Sequence, residues 1–288
     1  MSTNGIGAGG LLAGKRIVVT GVVTRESIAY SAAELAQRQG AEVVLTSFGR
    51  AARLTERLAR GLPVPTDVLE LDVTREEHYE ALRSQLEARW GRVDGLVHAI
   101  AHAPPDGLGG NFLDTPWESA ASALEVSTYS FARLTKALEP LMDASPAGAS
   151  VVGIDFDASV AWPDYDWMGV AKAGLESAAR YMTKYLGRKG IRVNLVAAGP
   201  LRTLSSHGIP CFDVLSEQWR ARAPLGWRPE RPDVVAGPIC FLLSDLAVAV
   251  GGEILHVDGG MHAVRAVGWE WGSGEPTAEP APEALVES

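Results

Sequence analysis

Residues 16–40 read RIVVT, then GVVTRES, then IAYSAAELAQRQ, then Gly40. The first block is a short β-branched apolar run. The third repeats its apolar residues at helical spacing and stops at a glycine, so strand, tight loop and helix follow one another. The same rhythm returns along the chain. Strands are expected over Arg16–Thr20, Glu42–Thr46, Val68–Leu71, Gly95–Ile100, Ser150–Asp155, Ile191–Ala197 and Glu253–Val257, with helical stretches between them. Most of these runs are apolar throughout rather than alternating, the pattern of strands covered on both faces. The expected fold is a single-domain Rossmann-type α/β protein. It has a doubly wound parallel sheet of about seven strands with helices on both faces.

A chain of 288 residues is within reach of one α/β domain. Its 26 Lys+Arg against 35 Asp+Glu leave a formal charge of -9 without any basic block, so no nucleic-acid partner is expected. No apolar run approaches the roughly eighteen residues of a membrane span. The opening MSTNGIGAGGLLAG has neither a charged n-region nor a long apolar core, so a cytoplasmic setting is expected. Cys211 and Cys240 form no CxxC pattern, and no metal site is expected. Residues 1–13 are Gly-rich and read as a flexible lead-in, and residues 14–266 as the Rossmann-fold body. Within it, Leu204–Arg222 reads as an irregular insert. The tail 273–288 is acidic, Pro-rich and aromatic-free, and is expected to be disordered.

Two ends of a site can be read from the residues. Gly21, closing the first strand before a helix, lets a phosphate approach backbone N–H groups at a helix N-terminus. The motif is weak, since only Gly21 remains of the usual three glycines, and an ordinary strand-to-helix turn is its alternative. Ser27 and Ile28 then open the helix, with the Ser27 hydroxyl offered to a pyrophosphate. The second strand ends EVVLTSFGR with no acid to grip a ribose 2′-hydroxyl. Arg50 could meet a 2′-phosphate or be a solvated loop charge, and Phe48 could cover an adenine or pack in the core. Asp72 and Val73 close the third strand, where the Asp72 carboxylate is placed for an adenine amino group. The fourth strand ends HAIAHAP, bringing small residues to the ligand-binding edge of the sheet. At the other end, Tyr165 and Lys172 are seven residues apart, close to two helical turns, and so are expected on one helix face. A phenol donates well to an oxygen gaining negative charge, and a nearby ammonium steadies that field.

These stretches resemble the enoyl-acyl carrier protein reductases of the divergent short-chain dehydrogenase/reductase group, especially the actinobacterial branch. The matching segments are GKRIVVTGVVTRESIAY, GAEVVLTSFGR, LELDVT, LVHAIAHAP, GGNFLDTP, VVGIDFDASVAWPDYDWMGVAKAGLES, IRVNLVAAGPLRT and GEILHVDGGMHA, from about residue 11 to residue 264. The resemblance implies an oxidoreductase that moves a hydride from NADH to the β-carbon of a trans-2-enoyl thioester in fatty-acid biosynthesis, with NADPH left open. By this resemblance Tyr165 bonds the thioester carbonyl, Lys172 the nicotinamide ribose, and Phe156 flanks the substrate. Gly21, Ser27, Ile28, Phe48, Asp72, Val73, Ile100, Ala101, Pro200, Leu201 and Thr203 line the dinucleotide. Segment 204–222 becomes the substrate-binding segment, its brevity suiting ordinary acyl chains. Ile209, Phe212 and Leu215 are the acyl contacts, joined by His102 and Met168. The implied partner is an acyl carrier protein or coenzyme A thioester, and the implied assembly is a homotetramer. Two positions depart from the family pattern. Ala99 stands where a serine is usual, and His102 stands where an aromatic wall is usual. His102 either packs as a substitute aromatic or bonds a more polar substrate. Two further readings therefore stay open: a specialised-metabolite reductase acting on another C=C, C=O or C=N bond, and a non-catalytic dinucleotide-binding regulator.

Overall fold

The computed structural model describes residues 9–210 and 212–264. Seven strands form one parallel sheet in the order β3-β2-β1-β4-β5-β6-β7. They are β1 Arg16–Val19, β2 Glu42–Ser47, β3 Val68–Glu70, β4 Gly95–His98, β5 Ala149–Asp155, β6 Ile191–Ala198 and β7 Ile254–Val257. Every pairing is parallel, with Val18 opposite Val44 on one side and Leu96 on the other. Because β1 lies between β2 and β4, the chain reverses its winding there and opens a crevice at the C-terminal strand ends. This is the Rossmann-type architecture expected from the continuous apolar runs.

Both faces of the sheet are covered. Ile17 and Val19 join α1 (Ile28–Arg38) and α8 (Asp233–Leu243) in one core. Val18 and Val44 face the opposite core with α3 (Glu76–Trp90), α5 (Ser130–Asp143) and α6 (Asp166–Leu186). Alternate residues of β1 are thus buried on opposite sides, which is why its sequence shows no polar alternation. Helix α2 (Gly49–Ala59) follows β2. Helix α4 (Trp117–Leu124) runs through a π-helical turn, Glu125–Tyr129, into α5.

Two expectations change. Gly9–Ala13 is docked rather than loose: Leu12 is fully buried, and its amide donates to the Gln39 carbonyl at 2.9 Å. The insert is ordered into a 3-10 turn at Ser205–Gly208 and helix α7, Phe212–Arg222. Phe212, Leu215 and Trp219 fall at helical spacing on one buried face, and this apolar stripe holds the segment against the body. Residues 1–8, Cys211 and 265–288, including the acidic tail, lie outside the described residues.

Candidate functional site

The C-terminal strand ends border three adjoining cavities of about 510, 140 and 420 Å³, all of which reach Ala101 and Ser205. The first is lined by Gly21, Phe48, Asp72, Val73 and Ile100. The second carries Ser27, Ile28, Lys172 and Thr203. The third is mainly apolar, with Phe156, Tyr165, Met168, Pro200, Leu201, Ile209, Phe212 and Leu215 on its walls. His102 borders both the first and the third. Apart from Arg50, every site residue singled out from the sequence therefore lines one continuous crevice. Arg50 is exposed on α2 and lies on no wall of these cavities.

Backbone geometry shapes the first two cavities. Gly21 adopts φ 81°, and a Cβ there would lie 2.0 Å from the Ala99 carbonyl oxygen. Only glycine fits that junction of β1 and β4. Ser27 caps α1: its hydroxyl accepts from the Tyr30 amide and donates to the Thr24 carbonyl at 2.7 Å. The hydroxyl is thus committed to the helix start, so the α1 N-terminal amides are what the cavity offers an anion. Asp72 is likewise engaged, its Oδ1 accepting from the Thr74 amide and hydroxyl. These features fit a dinucleotide: a side-chain-free turn, a helix N-terminus without first-turn acids, and a long cleft bounded by apolar Phe48, Val73 and Ile100.

Tyr165 does not lie within the regular body of a helix. It occupies the cap position immediately before α6, between Asp164 at φ 56° and Asp166 at φ 36°. Two left-handed non-glycine residues around one tyrosine are a strained turn, held by neighbours. The Asp166 carboxylate accepts from the Gly110 and Asn111 amides at 2.7 and 3.2 Å, and the Gly109 amide donates to the Asp164 carbonyl at 3.0 Å. The Gly109-Gly110-Asn111 loop thus clamps the turn that aims the phenol. The Tyr165 ring packs 5.2 Å from Phe156, which also meets Trp162 and Trp219. Burial, with a lesser push from Asp155, raises the phenol above its usual range, so it is a neutral donor at any working pH.

Lys172 lies deep in α6, only 5% exposed, and donates to the Ile154 carbonyl at 2.7 Å. Burial lowers its pKa and Asp155 raises it. Beneath the HAIAHAP loop, β4 stops at His98 rather than reaching Ile100. The loop is tied instead to the π-helical turn, where Ser127 Oγ accepts from the His102 amide and donates to its carbonyl. His98 itself is buried, with Nε2 at 2.8 Å from Ser130 Oγ. The Ser130 hydroxyl also lies 2.7 Å from the Val126 carbonyl, to which it donates. His102 is exposed at the rim.

Ser205, common to all three cavities, was missed in the sequence. Its signal was the hydroxyl run Thr203-Leu204-Ser205-Ser206 just after the Gly199-Pro200 turn. Asp155 was missed as well and had no sequence signal, because its isolation depends on burial.

The family model for enoyl-(acyl carrier protein) reductase matches residues 21–262. The chain is 44% identical over 265 residues to the NADH enoyl-acyl-carrier-protein reductase of Mycolicibacterium smegmatis, covering 87% of this chain and 97% of that protein. It is 37% identical over 262 residues to the Aquifex aeolicus enzyme of that name, covering 91% and 96%. The Escherichia coli enzyme of that name is 36% identical over 257 residues, covering 87% and 95%.

Proposed function

The chain belongs to the enoyl-(acyl carrier protein) reductase family, and on that premise we propose that it uses NADH to reduce the double bond of trans-2-enoyl thioesters carried by acyl carrier protein in fatty-acid biosynthesis. The observation that carries this reading is the continuity of the crevice. A dinucleotide-sized cleft at the sheet edge opens, through Ala101 and Ser205, into an apolar cavity bearing one buried phenol. When bound, NADH supplies the reducing equivalents for the double bond. The Tyr165 hydroxyl makes no hydrogen bond among the described residues, so it is free to donate to the thioester carbonyl oxygen as negative charge builds there. Lys172 spends one proton on the Ile154 carbonyl and keeps two donors for the ribose hydroxyls.

Phe156, Met168, Leu201, Ile209, Phe212 and Leu215 exclude water from the acyl cavity. His102 adds one polar group at its rim, which suits an acyl chain bearing a polar substituent. His102→Phe should then weaken reduction of such a substrate more than that of a plain enoyl thioester. Half-exposed β7 and exposed Tyr181 and Tyr185 of α6 offer apolar surface for the homotetramer that we also propose, in a cytoplasmic setting. The test of function is NADH and NADPH oxidation with paired acyl carrier protein and coenzyme A thioesters. NADH-dependent turnover that favours the carrier-protein substrate is expected. Tight NADH binding without turnover on any enoyl thioester would overturn the proposal.

A further inference from the structure

Asp155 ends β5, directly between the two residues that touch the reacting pair. Its predecessor Ile154 supplies the carbonyl that accepts from Lys172, and its successor Phe156 packs on the Tyr165 ring. Asp155 is 3% exposed, and neither of its carboxylate oxygens makes a hydrogen bond of good geometry, the Phe156 amide being the one backbone donor that acts on it. A buried carboxyl without partners is costly unless a neighbouring charge offsets it. Its partner in register on β6 is Ala197, which offers none.

The charged groups around Asp155 leave a single candidate. From α6 come Lys172 and Glu176. Glu176 accepts from the Ala158 amide and lies 3.8 Å from Arg180. The loop after β5 brings Asp157, whose oxygens hold Ser159 and face His256. Tyr165 is a neutral phenol, and His98 on β4, facing Lys172, is held neutral by burial. Among the described residues, Lys172 is thus the only cation acting on Asp155, and Asp155 the only acid acting on Lys172. The carbonyl that Lys172 touches is a dipole and cannot replace an anion.

We infer that Asp155 is a positioning residue, the buried counter-charge that keeps Lys172 an ammonium and so keeps its donors available to the cofactor ribose. This rests on the reading of Lys172 as a dinucleotide ligand. Burial pushes the Asp155 carboxyl up to about 7 and Lys172 pulls it back, so above neutrality a buried carboxylate stands near the Lys172 ammonium without touching it. Burial alone would strip Lys172 of its proton at a lower pH.

The experiment is NADH binding, followed by fluorescence from pH ~6 to ~10, for the full-length wild type, Asp155→Asn, Asp155→Glu and Lys172→Met, the last with and without Asp155→Asn. Removing this nearby unit charge is expected to move the alkaline loss of affinity down by about one to two pH units. At pH ~9 that means at least a roughly tenfold weaker Kd. Asp155→Glu should restore part of the shift. In the Lys172→Met background Asp155→Asn should leave the pH profile unmoved, which a general packing defect would not do. An Asp155→Asn profile with the alkaline limb of the wild type overturns the inference. Should Asp155→Asn not fold, the wild-type curve decides. Affinity level to about pH 9 supports a protected ammonium, and loss near neutrality contradicts it. Failure of the wild type to bind NADH at any pH would instead refute the functional reading on which the inference stands.

Discussion

Replacing His98 by glutamine tests the polar interior beneath the site in a way that activity cannot. His98 is fully enclosed, and burial, helped by the Lys172 ammonium, pushes its imidazole down from 6.5 to about 3. Between those values the unfolded chain holds a proton that the native protein does not. Stability therefore rises with pH through this window. The His98 contribution is fully present above about pH 6.5 and is lost as pH falls toward 3, at about 1.4 kcal/mol per pH unit. Glutamine can still donate to Ser130 Oγ but does not titrate. Urea unfolding of wild type and His98→Gln, each at pH ~6.5 and pH ~4.5, isolates the linkage as a difference of differences. The variant should be the less stable protein near neutrality, and its deficit should shrink by about 2 kcal/mol across those two units. A deficit that stays constant with pH would refute the assignment of His98 as a buried neutral group.

Further predictions concern the crevice. Tyr165→Phe should lower kcat about 10²–10³-fold while leaving the Kd for NADH unchanged, whereas Lys172→Met should weaken NADH binding at least tenfold; equal cofactor affinity in the two variants would contradict this division. Gly21→Ala forces a Cβ to within 2.0 Å of a backbone oxygen at φ 81°. It should cost more than about 1–2 kcal/mol in thermal unfolding and remove NADH binding. Asp166→Ala frees the Gly110 and Asn111 amides and should reduce turnover several-fold with little change in NADH affinity, as steady-state kinetics would show.

The fold was legible because strands buried on both faces write themselves as unbroken runs such as RIVVT and EVVLT. Strand ends were less so: β4 stops at His98 because Ser127 captures the backbone of His102, a contact across 25 residues. Lid-like α7 read as irregular because Gly208 and Pro210 interrupt the segment just before its apolar stripe begins. The seven-residue interval between Tyr165 and Lys172 suggested one helical face. The strained Asp164-Tyr165-Asp166 turn instead depends on amides from the distant 109–111 loop. Asp155 reads as one more polar residue at a strand end, and only packing shows that it is buried beside the lysine's helix. Leu12, in a glycine-rich stretch, looked loose for the same reason: its partners belong to the end of α1.

The most direct measurement is reduction of a trans-2-enoyl acyl carrier protein thioester with NADH deuterated at the transferable position, the product being read by mass spectrometry. The account predicts a saturated acyl chain carrying one deuterium on its β-carbon. A labelled alcohol or aldehyde, or an unlabelled chain beside oxidised cofactor, would contradict it.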